Sequence, residues 1–201
     1  MDSEHELTRA AEGGDVASVA RLLSAGAEAD APDARRRTAL EVAVDAGQVE
    51  IVRLLLAAGA DPCRPSGEYE ELTPLLQAAM RPEAEILKLL LDAGAPLGAQ
   101  GRTSWVPLVV AATSGDQGYP WSVVALLDHG ADIDALMKGR TALECAVTGG
   151  KPRMARWLLG RGAAPTEYAL GMAHHRALRS PEDEERYLPV LHALHAARRQ
   201  G

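Results

Sequence analysis

A double leucine followed by a Gly-Ala pair occurs five times in this chain, and few folds accommodate that. The leucines are Leu22-Leu23, Leu55-Leu56, Leu90-Leu91, Leu126-Leu127 and Leu158-Leu159. The Gly-Ala pairs are Gly26-Ala27, Gly59-Ala60, Gly94-Ala95, Gly130-Ala131 and Gly162-Ala163, spaced by 33, 35, 36 and 32 residues. The cleanest unit, residues 37 to 61, reads as two short amphipathic helices, broken at Gly47 and closed by Gly59. Either helix alone would leave most of its apolar face in water. A recurring unit solves this by burying each face against the next.

Helix-opening triplets keep the same frame: Thr38-Ala39-Leu40, Thr73-Pro74-Leu75, Val106-Pro107-Leu108 and Thr141-Ala142-Leu143. A period near 33 residues with these triplets resembles the ankyrin repeat, over roughly residues 4 to 166. The resemblance implies an all-α class, an ankyrin-like helical repeat solenoid with short β-turn fingers, forming a single domain over 1–201. The expected divisions are an N-capping repeat at 4–32, repeats at 33–66 and 67–100, a repeat with an insertion at 101–135, a fifth at 136–166 and a C-terminal cap at 167–201.

Departures from the pattern are local. Arg81-Pro82 stands where a helix-ending glycine is expected, and proline ends the helix instead. In the fourth unit the spacing from Gly115 to Leu126 is three longer than from Gly47 to Leu55, and Tyr119, Pro120 and Trp121 fall in or beside the addition. Insertions in repeats map to loops on one face, often the binding face. Trp157 shares the frame of Leu54 and Leu89 and is expected in the core. Ser180-Pro181-Glu182-Asp183 reads as a helix N-terminus, with a capping serine, proline in first position and acids in the first turn.

The apolar fraction of 47% supports a continuous core, which must be built from Leu, Val and Ala because the chain has no Phe. A net charge of −7 argues against nucleic acid as partner and favours a neutral or basic protein. Cys63 and Cys145 are isolated thiols, consistent with a reduced, cytoplasmic chain. The acidic N-terminus has no signal-peptide or anchor character, and no stretch is long and apolar enough to span a membrane. A monomer is expected.

Motifs for catalysis are missing. No GxSxG elbow, P-loop, strand-to-helix GxGxxG or HExxH is present, and no cofactor is implied. His174-His175, and His192 with His195, raise a minor alternative of a metal-dependent or hydrolytic enzyme. No local carboxylate or cysteine completes their ligand set.

The resemblance therefore implies a non-catalytic protein-binding module that presents finger tips and first-helix faces. Its variable contact positions fall on Ala34, Arg35, Arg37, Asp45 and Ala46, and on Tyr69, Glu70, Leu72, Met80 and Arg81. They continue on Arg102, Thr103, Trp105, Thr113 and Ser114, and on Met137, Lys138, Arg140, Thr148 and Gly149. Tyr69, Trp105 and Met137 anchor apolar contacts in this reading and Arg35, Arg37, Arg102 and Arg140 supply polar ones, while Met80, Tyr119 and Trp121 complete the candidate contact residues. A narrower form is a bacterial immunity or inhibitor protein that blocks the active site of a toxin or enzyme.

Overall fold

The Gly-Ala pairs perform two tasks at once. In the computed structural model, which describes residues 2–64, 72–100 and 104–199, with first-helix side chains from residue 6, each Gly of these pairs has φ between 88° and 92°. The following alanine N–H then donates back over the helix end, Ala27 to Leu22 O and Ala60 to Leu55 O, each at 3.0 Å. The same bond recurs from Ala95, Ala131 and Ala163 to Leu90, Leu126 and Leu158. This is the Schellman ending, in which a left-handed glycine lets the chain return and satisfy an orphan carbonyl. The accepting leucine is the first of each pair and is itself buried. One residue thus fills the core and receives the stop signal.

Twelve helices result among the described residues, arranged as six antiparallel pairs. They are α1 (Asp2–Glu12) with α2 (Val16–Ser24), α3 (Ala39–Asp45) with α4 (Val49–Ala57), and α5 (Pro74–Ala79) with α6 (Glu85–Asp92). Then come α7 (Pro107–Thr113) with α8 (Pro120–Asp128), α9 (Ala142–Thr148) with α10 (Pro152–Gly160), and α11 (Glu167–Ala177) with α12 (Pro181–Arg198). First helices stack in one row, α1 on α3 on α5 on α7 on α9 on α11. Second helices form the other row, but α8 and α10 meet only marginally. One continuous core of Leu, Val, Ile and Ala runs between the rows from Leu7 to Leu194. No described helix is long and apolar enough to cross a membrane.

Threonine starts the first helices. Thr38, Thr73, Thr141 and Thr166 accept from the backbone N–H three residues on, at 3.1 to 3.4 Å. Around Thr141 the cap is reciprocal, because Glu144 also accepts from the Thr141 N–H. The other Glu144 oxygen accepts from the Thr166 hydroxyl at 2.7 Å and joins the fifth repeat to the terminal pair. The helix over Pro181–Arg198 begins as its sequence implies, with Ser180 Oγ accepting from Asp183 N. Trp157 is only half-buried: it lies against the core while the Arg161 guanidinium stacks 4.5 Å from its ring centroid.

Four of the first helices, α1, α3, α7 and α9, end against a long polar side chain sent back by the following repeat. Arg81 donates to Asp45 O at 2.6 Å, Lys151 to Gly115 O and Arg176 to Thr148 O. Gln48 lies so close to Gly14 that a Cβ there would stand 2.7 Å from its Nε2. Cations at helix C-terminal carbonyls are favoured by both hydrogen bonding and the helix dipole. Gln48, Lys151 and Arg176 each lie ten residues after a capping threonine, so this brace has its own sequence register.

The insertion in the fourth repeat is a brace too. Tyr119 N–H donates to Ala111 O at 2.8 Å, and Gly118 is buried against Ala112 O and the Met154 methyl of α10. It bridges the place where α8 and α10 draw apart.

Candidate partner-binding groove

Two of the fingers are described at their tips and a third on either side of its tip. In the first, Asp33 Oδ1 accepts from the N–H groups of Arg35 and Arg37, at 2.8 and 2.9 Å, while Arg36 turns the chain at φ 62°. The Arg37 guanidinium closes on Asp33 Oδ2 and on Glu12 at 3.2 Å, so it clamps this finger to α1. Burial alone would raise the Asp33 carboxyl. The two N–H donors and the Arg37 guanidinium outweigh it and hold the group below its usual range. A depressed folded value gives stability that is present above the unfolded value near 3.8 and is lost as pH falls through the folded one. Asp33→Asn should therefore cost about 1 kcal/mol at pH 7 in urea unfolding, a gap that closes as pH drops below about 4.

In the fourth repeat, Gln100 and Trp105 exchange backbone hydrogen bonds of 2.7 and 2.9 Å. Buried Gln100 also accepts from the Thr73 hydroxyl and donates to Pro96 O, which fixes the strand edge carrying Trp105. In the fifth, Met137 and Arg140 pair across Lys138 (φ 52°) and Gly139 (φ 76°), a tight two-residue turn with both centres left-handed.

These two fingers and the ends of the first helices enclose a depression of about 400 Å³. Met80, Trp105 and Met137 line it together with Val110, Thr113, Ser114 and Gly115. The three large side chains come from three successive repeats and are half-buried. Trp105 is therefore held by the frame yet still presents ring surface. Beside it the Arg140 guanidinium lies 3.7 Å from the Tyr168 ring centroid, an orientation set by the terminal pair.

The remaining candidates are distributed. Arg35 is exposed at the first finger tip, far from this depression in repeat order. Tyr119 precedes α8 and its ring covers Gly115, where a Cβ would fall 2.8 Å from a ring carbon. Trp121 is 72% exposed but projects from α8 in the second-helix row, outside the groove. Tyr69 and Arg102, with Glu70 and Thr103, lie outside the described residues. Sequence reasoning did not include Val110 and Gly115 in the groove, nor Tyr168 as the support for Arg140. Val110 was hidden because its frame position reads as core.

Little here is arranged for chemistry. His174 and His195 stand edge to face with ring centroids 6.0 Å apart, and His174 Nδ1 meets Leu170 O at 3.0 Å. Among the described residues no group of three or more His, Cys, Asp or Glu side chains could hold a metal. Burial pushes both the Cys63 and Cys145 thiols up from their usual range, the opposite of an activated nucleophile. His129 is raised by its bond to Asp92 at 3.0 Å, which ties α8 to α6.

The family model for ankyrin repeats (3 copies) matches residues 4–66 and 75–169. The chain belongs to the ankyrin repeat family. It is 34% identical over 139 residues to the ankyrin repeat and KH domain-containing protein mask-1 of Caenorhabditis elegans, covering 66% of this chain and 5% of that protein. A putative ankyrin repeat-containing protein of Treponema pallidum (strain Nichols) is 33% identical over 119 residues, 59% of this chain and 39% of its own length. The B-cell lymphoma 3 protein homolog of Mus musculus is 32% identical over 158 residues, 74% and 34% respectively. The chain thus spans well under half the length of these relatives. Ankyrin repeats as a class are protein–protein interaction modules.

Proposed function

We propose that this chain is a non-catalytic module that binds a partner protein through the groove centred on Trp105, with Met80 and Met137 as flanking apolar contacts. The observation that carries the reading is the convergence of these three side chains, from three repeats, on one open depression. Tryptophan in such a setting is the residue type most enriched among binding hot spots. The braces between repeats hold the surface before docking, so little conformational entropy is lost on association. A net charge of −7 favours a neutral or basic partner and motivates the narrower form, an inhibitor seated on a basic active site. The raised thiols speak against a cysteine nucleophile.

Trp105→Ala with Met137→Ala, used as bait beside wild type in native-source extract, tests this. Trp121→Ala serves as a control outside the groove. A partner held by wild type and by the control should be lost by the groove variant, with Trp105→Ala alone weakening binding by about 2 kcal/mol, roughly 30-fold. Equal retention by the folded groove variant would reject the groove.

A further inference from the structure

One cation beside the groove has a fixed orientation and no counter-charge. Met137 and Arg140 stand directly opposite each other across the fifth-repeat finger and exchange backbone hydrogen bonds of 2.9 and 3.1 Å. Residues paired in this way send their side chains to one face of the ribbon. Met137 lines the depression around Trp105, and Arg140 is half-buried with its guanidinium stacked on the Tyr168 ring. Stacking sets the plane of the guanidinium but uses none of its N–H donors. No hydrogen bond or ion pair joins that group to any other described residue.

The acids that could answer it are occupied elsewhere. Glu144 accepts from the Thr141 N–H and the Thr166 hydroxyl, and Glu167 pairs with Arg198. Asp132 and Asp134 accept from backbone N–H groups at 2.9 and 3.0 Å. Asp116, next to Gly115 in the chain, borders a separate depression beside Arg153 and Arg156. This side of the groove is therefore locally cationic in a chain whose net charge is −7. An oriented guanidinium with its donors unspent, next to an apolar depression, is a receptor for a carboxylate held in plane by two parallel N–H groups.

We propose, resting on the groove function above, that the segment of the partner entering this groove is an extended peptide with a bulky apolar residue and an Asp or Glu. The apolar side chain fills the depression between Met80, Trp105 and Met137, and the carboxylate meets Arg140. Tyr168 belongs to the next first helix along, and such helices stack about 10 Å apart, so the acid lies about three extended residues from the apolar anchor. Arg140 is then the specificity-determining contact, and Tyr168 is the positioning residue that acts through it. The net charge of −7 acts on the partner as a whole, whereas Arg140 reads one residue of it.

Selection of random linear peptides displayed on phage against the full chain is the test. Peptides that wild type retains and Trp105→Ala does not should carry Asp or Glu about three positions from a bulky apolar residue. Arg140→Gln, with unchanged circular dichroism, should weaken the best such peptide about tenfold. Replacing the peptide's carboxylate by its amide should cost wild type the same factor and Arg140→Gln nothing more. Tyr168→Leu should weaken binding of the acidic peptide and Tyr168→Phe should preserve it, because the ring alone orients the guanidinium. Arg161→Gln removes an arginine stacked on Trp157, outside the groove, and should change nothing. Trp105-dependent peptides that lack an acid, or a carboxylate whose loss costs wild type and Arg140→Gln alike, would overturn the proposal and leave the groove standing. A selection that yields no Trp105-dependent peptide would reject the groove itself, and this inference with it.

Discussion

Gly118→Ala is expected to be the most damaging glycine-to-alanine change among the described residues. A Cβ at Gly118 would stand 2.5 Å from the Ala112 carbonyl oxygen and 2.6 Å from the Met154 methyl. The methyl sits at the end of a flexible side chain and can swing aside, but the oxygen belongs to the backbone closing α7. The φ of 76° adds the left-handed penalty of about 1 kcal/mol, and overpacking against backbone adds about 2 kcal/mol more. A loss of about 3 kcal/mol should lower the thermal midpoint by roughly 6 to 12 °C. Gly59→Ala is the comparison. Its φ is 88°, yet nothing lies within 4 Å of the added atom, so only the conformational part of about 1 kcal/mol applies. Equal midpoints for the two variants would show that the insertion yields to the new atom and does not brace the step between α8 and α10.

Leu90→Ala should cost about 2 to 5 kcal/mol, because a fully buried leucine leaves both a transfer loss and a cavity. The upper part of that range is expected. With no Phe in the chain, the neighbouring Leu and Val side chains have little reach to collapse into the space. Its place matters as much as its size. In a stack where each repeat touches only its neighbours, a weakened middle repeat uncouples the two sides. Denaturant unfolding followed by circular dichroism should change from one transition to two, with the repeats on either side of α6 melting separately. A single sharp transition at lower denaturant would mean that coupling survives the cavity.

Much of the frame could be read from the sequence, because the repeat writes local chemistry at fixed intervals. Leu55 and Gly59 specify a buried contact and a left-handed stop within one turn of each other, and the same code recurs five times. Thr38, Thr73 and Thr141 mark helix starts through bonds three residues long. The groove was legible in part for the same reason: Met80, Trp105 and Met137 hold equivalent finger or helix-end positions, so the frame brings them together. What escaped involves contacts between repeats whose side chains vary. Arg37 and Arg81 read as free contact residues, but they are engaged with Glu12 and with the Asp45 carbonyl. Arg140 is oriented by Tyr168, 28 residues away. The Tyr119 insertion read as projecting surface, yet its backbone is tied to Ala111 and its glycine is buried. No local pattern carries that information.

The back-reaching braces give the stack a direction. Arg81, Lys151 and Arg176 each complete a helix end that lies earlier in the chain, and Thr166 completes Glu144 in the same sense. A repeat leaving the ribosome is therefore unfinished until its successor arrives and supplies the missing donor. Shortening the chain from its C-terminus strips that donor from the repeat left behind, whereas shortening it from the N-terminus removes acceptors, among them the Glu12 carboxylate that receives Arg37. Truncation from the two sides of the stack is therefore expected to act unequally, because these bonds all run from a later repeat back onto an earlier one.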